Sequence, residues 1–97
     1  MSLPDAFLLE LFREEMAAHS AVLTDGLLAL ERDGSSPERI EPLMRAAHSI
    51  KGAARVVDLA PVVQVAHEME DLLVAAGAGR VVLDGAAVDL LLAALDW

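Results

Sequence analysis

The sequence predicts an all-α protein, an antiparallel up-down bundle of four helices. Three observations predict it. Apolar residues recur at spacings of three and four through most of the chain. Capping and breaking residues divide that pattern into four segments with short connections, which set successive helices antiparallel. The composition is 56% hydrophobic and only 3% aromatic, so the core must be built from Ala, Leu and Val packed closely. With 97 residues, one domain is expected, over 1–97.

The first helix is expected over roughly 4–31, carrying Leu8, Leu11, Phe12, Met16, Val22, Leu23, Leu27 and Leu30 at a helical period. Asp25-Gly26 marks a kink or interruption, because Gly costs about 1 kcal/mol against Ala inside a helix. The run "RDGSSP" then stops it. The second helix is expected over roughly 37–57, with Ser36 as N-cap, Pro37 at the first helical position and Glu38 facing the positive end of the dipole. Pro42 falls about one turn inside, where its missing N–H is still tolerable. Ile40, Leu43, Ala47, Ile50, Ala54 and Val57 form its apolar seam. Asp58 either ends that helix or caps the next.

The third helix is expected over roughly 60–76, carrying Val62, Val65, Ala66, Met69, Leu72, Leu73 and Ala76. Gly77 and Gly79 end it, with Arg80 beside its negative pole. The fourth is expected over roughly 84–97, from Asp84 as N-cap through Val88, Leu91, Leu92 and Leu95. It reaches Trp97 in mid-helix, which reads as a piece of a longer protein. "RVVLDG" at 80–85 is the one stretch with a strand-like reading, and it has no partner.

Several function classes drop out. There is no Cys, hence no disulfide framework and no thiolate metal site. The amino terminus meets acids at once and lacks the basic region of a secretory signal. Asp, Glu or Arg breaks every apolar stretch short of about 18 residues, so no membrane span is expected, and a cytoplasmic protein is. The net charge of −9 argues against a nucleic-acid partner. That charge is unevenly spread, because Arg45, Lys51 and Arg55 cluster around His48. A local basic patch on an acidic chain points to a small bound anion.

On a helical wheel, His48 falls roughly 130° from the centre of the second helix's seam, so its ring should face outward or along the flank. Met44, Lys51, Gly52 and Arg55 share its stripe. Gly52 removes a side chain one turn from the imidazole, which lets another surface approach. An imidazole is a nucleophile at one nitrogen when the other holds the proton, and a hydrogen-bond acceptor sets that tautomer. The third helix offers one in "AHEMEDLL": if the two helices are antiparallel neighbours, Glu70 reaches His48. Lys51 would then offset charge on a transferred phosphoryl group, a reaction that mainly needs positioning and charge stabilisation.

"AHSIKGAARVV", followed at this distance by "AHEMEDLL", resembles the histidine phosphotransfer (HPt) domain, most closely the first domain of CheA-type chemotaxis histidine kinases. The resemblance covers most of the chain. It implies a four-helix bundle with a phospho-accepting histidine on its second helix: His48, supported by Lys51 and Gly52, with His67 and Glu70 in the network around the ring. It also implies a two-component signalling module that receives a phosphoryl group from a histidine kinase catalytic domain, in cis or in trans. The module would pass the group to the aspartate of a response-regulator receiver domain. ATP and Mg belong to the separate kinase domain; this chain has no Gly-rich nucleotide loop and needs no cofactor. An isolated domain should be monomeric.

Two departures stand out. Ala53, Ala54 and Arg55 follow Gly52 where the family often has another Gly, and Arg55 on the active stripe is a candidate to assist phosphate or select the partner, with Arg45 a further candidate for partner approach; the plainer reading of both is a solvated charge. The fifth helix common in the CheA type does not fit within this length.

Plainer readings accompany each residue. Gly52 also suits close helix packing, Glu70 a solvated acid, and His19 beside Glu15 a surface role. A metal site of His48, His67 and Glu70 is the alternative from chemistry, which the neighbouring Lys51 disfavours. A non-catalytic helical adaptor is the alternative from binding.

Overall fold

Ser36 starts the second helix as its side chain predicts: Oγ accepts from the Arg39 backbone N–H at 3.2 Å, with Pro37 at the first helical position. A computed structural model describes residues 3–95 and contains four helices among them. They are α1 (Leu3–Asp33), α2 (Pro37–Val56), α3 (Ala60–Gly77) and α4 (Gly85–Ala94). No helix of the described residues is long and apolar enough to cross a membrane. The long axis of 46 Å is that of α1, whose 31 residues span about 46 Å at 1.5 Å each. α2 packs between α1 and α3, and α4 packs on α1. Three-residue connections fold α2 back along α1 and α3 back along α2, the expected up-down course.

The core is one cluster in which Leu23, Leu27, Leu43, Ile50, Leu73 and Val88 are sealed from solvent. Each such side chain contributes about 1.5–3 kcal/mol of transfer free energy. Ala47, Ala54 and Ala66 are also fully buried, so the backbones of α2 and α3 approach closely where their seams meet. Three of the α1 residues assigned to the core, Leu8, Leu11 and Val22, lie at 38–45% exposure instead. A helix of this length has turns that no neighbour covers.

One expectation about helix continuity is corrected. α1 runs unbroken through Asp25-Gly26. Gly26 is there for packing: a Cβ at this position would overlap the Leu43 side chain of α2. α2 continues through Pro42 as expected, although Pro42 lacks the N–H that would bond the Glu38 carbonyl. At the other end, Asp84 caps α4 by accepting from the Ala87 N–H at 2.8 Å. That helix closes at Ala94 with Leu95 as its cap; the last two residues of the expected 84–97 helix lie outside the described residues.

The turn that matters for the site lies between α2 and α3. Asp58 has φ 58°, the left-handed conformation. The Leu59 N–H bonds the Ala54 carbonyl at 2.9 Å and the Asp58 N–H bonds the Arg55 carbonyl at 3.1 Å. This paired arrangement is the Schellman termination. Asp58 therefore ends α2, while Leu59 precedes α3 without any side-chain cap.

Candidate functional site

The reversal at Asp58 sets which residues of α2 and α3 face each other. His48 lies ten residues before it and Glu70 twelve after, so antiparallel helices of equal rise bring them level. The contact forms. His48 Nδ1 and Glu70 Oε2 are 2.6 Å apart, and the His48 side chain is 68% exposed. The carboxylate accepts from Nδ1–H, and in the neutral ring this tautomer leaves the Nε2 lone pair available.

Glu70 is mostly buried and serves two donors. Lys51 Nζ donates to its other oxygen, Oε1, at 2.5 Å. Burial alone pushes the Glu70 carboxyl up. The hydrogen bonds from Lys51 and His48, and their charges, outweigh that and hold it below its ordinary value. The carboxylate is therefore ionised through the neutral range, and the imidazole stays anchored.

Lys51 differs from its expected setting. It was placed on the exposed stripe with His48, yet it is only 8% exposed and its ammonium is engaged with Glu70. The physical reason is the width of the α2–α3 seam: close alanine packing leaves the flexible Lys51 stem lying in the seam, where the carboxylate draws its tip. His67 is also corrected. It was expected in the network around the ring, but Nε2 faces Asp71 Oδ2 at 3.3 Å, one turn along its own helix. With Glu70 held by two donors from α2, the nearer acceptor for His67 is local. Among the described residues, no three His, Cys, Asp or Glu side chains converge as a metal site, so the His48, His67 and Glu70 ligand set is not assembled.

Gly52 faces open space: nothing lies within 4 Å of a Cβ built there, so close packing is not its purpose. Arg55 is exposed two turns beyond His48. Arg45 is exposed and paired with Glu41 at 2.5 Å. The sequence reading passed over Glu41, although its spacing of four before Arg45 is the signal for such a pair. It also passed over Ser49 and Val74, which line a shallow concavity beside the ring together with Met44, Arg45, His48 and Glu70. No one-helix pattern reveals Val74, since only the register of α3 puts it there.

A bundle whose second helix presents an anchored, exposed imidazole is the architecture of a phosphotransfer module, and the comparisons agree. The Hpt domain family matches residues 8–96, and the chain belongs to that family, the histidine phosphotransfer modules of two-component signalling. Among individual proteins it is similar to the chemotaxis protein CheA of Treponema pallidum, 36% identical over 89 residues covering 92% of this chain. It is also similar to CheA of Borreliella burgdorferi, 32% identical over 96 residues covering 99% of this chain. A gliding motility regulatory protein of Myxococcus xanthus is 36% identical over 89 residues covering 92%. The chain spans only 11% of the length of each of these three relatives. No solved structure matches significantly.

Proposed function

We propose that His48 is the phospho-acceptor of this module. Its Nε2 lone pair attacks the γ-phosphorus of ATP held by a histidine kinase catalytic domain, which supplies the nucleotide and Mg. The N–P bond forms as the bond to the leaving ADP oxygen breaks. The ring then carries positive charge, which Glu70 shares through the Nδ1–H hydrogen bond. In the second step a receiver-domain aspartate oxygen attacks the phosphorus, the N–P bond breaks and its electron pair returns to Nε2. Lys51 keeps Glu70 ionised and in place, and the open face at Gly52 lets each partner approach. The relatives' names support a chemotaxis-type kinase as the longer protein; in this reading the segment is a monomeric, cytoplasmic part of it.

The observation that carries this reading is an exposed imidazole whose Nδ1 is tethered to Glu70. The test is labelling by a CheA-type kinase core with radiolabelled ATP. The chain should take up acid-labile, base-stable phosphate, and His48→Gln should take up none. Equal labelling of the two, or partner binding with no labelling of either, would remove the reading; the second result would favour the adaptor.

A further inference from the structure

Arg45 stands between two possible partners. Glu41 is one turn toward the amino end of α2 and His48 one turn toward the carboxyl end. The guanidinium rests on Glu41, in an ion pair whose side chains are 78% and 52% exposed. Such exposed pairs are weak and exchange readily. Arg45 also lines two concavities. One holds Glu41 and faces His19 of α1; the other holds His48 and Glu70 on the α3 side.

We propose that Arg45, rather than Lys51, is the cation that binds the phosphoryl group once it is on His48, leaving Glu41 to do so. This rests on the reading of His48 as phospho-acceptor. Three features support it. First, side chains on a helix lean toward its amino end, so the imidazole overlies the turn that contains Arg45. The concavity beside the ring lies on that side and is lined by Arg45, not by Lys51. Second, the Lys51 ammonium is buried on Glu70, and withdrawing it would strip a mostly buried carboxylate of its ammonium partner. Arg55, seven residues along, is about 10 Å up the helix axis on the opposite side of the ring. Third, a phosphoryl dianion offers a planar guanidinium two parallel hydrogen bonds and more charge than the Glu41 carboxylate does. No bond of the transfer changes; Arg45 exchanges one anion for another.

The test uses the chain phosphorylated chemically with potassium phosphoramidate. The donor's P–N bond breaks, ammonia leaves and the group forms a new N–P bond to His48, with His48→Gln as the baseline. The pH titration of the phosphoryl ³¹P resonance is then followed. In the wild type it should fall roughly 0.5–1 pH unit below that in Arg45→Gln, with Arg45→Lys between the two. Glu41→Gln, which frees Arg45, should match the wild type or lie lower still. The Arg45 side-chain NH resonance should move on phosphorylation while the Lys51 ammonium resonance stays. A phosphoryl titration identical in wild type and Arg45→Gln, or movement at Lys51 alone, overturns this inference and leaves the phospho-acceptor reading standing. A wild type that takes no label at His48 overturns both.

Discussion

At the residue scale the site turns on Glu70, which divides its two oxygens between His48 and Lys51. Removing its charge by Glu70→Gln should slow labelling of His48 by roughly 10-fold or more, since a carboxylate that orients a metal-bound imidazole is typically worth about 10–100-fold. Initial labelling rates check this. The pH dependence has a definite sign. The folded carboxyl titrates below its ordinary value of 4.5, so its stabilising effect is complete above that value and is lost as pH falls through the folded one. Thermal midpoints of wild type and Glu70→Gln should therefore differ at neutral pH and converge in acid. Lys51→Met removes the largest of the lowering influences and leaves burial opposed by His48 alone. The Glu70 carboxyl should then titrate higher, read from its side-chain NMR signal. Elsewhere, the Ser20 hydroxyl of α1 is buried with no partner. Ser20→Ala should be neutral or stabilising by up to about 1 kcal/mol in urea unfolding, since an unsatisfied hydroxyl is lost and a better helix former gained.

Helix-scale behaviour separates two glycines that look alike in the sequence. Both lie inside helices, so propensity alone predicts a gain from alanine at each. Gly26→Ala should instead destabilise by roughly 1–3 kcal/mol, because its methyl must displace Leu43, itself only 1% exposed. Gly52→Ala meets open space and should stabilise the fold by about 0.5–1 kcal/mol. Any loss of phosphotransfer in that variant then reports on partner approach and not on folding. Asp58 is the third case. Its left-handed backbone ends α2, and Asp58→Gly should raise stability by about 1 kcal/mol while keeping the register of the α2–α3 hairpin. Denaturant midpoints for the three variants provide the check.

Seen as a whole molecule, the chain carries a net charge of −9 on a small bundle. Self-repulsion of that size opposes compaction, and salt screens it. The thermal midpoint should rise between low and physiological ionic strength, by roughly 4–8 °C for each kcal/mol recovered. Of the basic residues around His48, Arg45 and Lys51 are each paired with a carboxylate, so the local charge at the ring is closer to balanced than the sequence clustering suggests.

The amino-acid sequence determined the number of helices, the Ser36 and Asp84 caps and the pairing of His48 with an acid from the next helix. The first two depend on short-range chemistry, a hydrophobic repeat and a side-chain oxygen three residues before an N–H; the third follows from the short connection that sets α2 and α3 antiparallel. The Arg45–Glu41 and His67–Asp71 pairs depend on the same short-range spacing, one turn of one helix, although the sequence analysis named neither. Only the tertiary structure decided what depends on the distance between helices. It buried Lys51 and gave its ammonium to Glu70, and it fitted Leu43 of α2 against Gly26 of α1. Burial and cross-helix register are set by packing among residues far apart in the chain, and no periodicity within one helix encodes them.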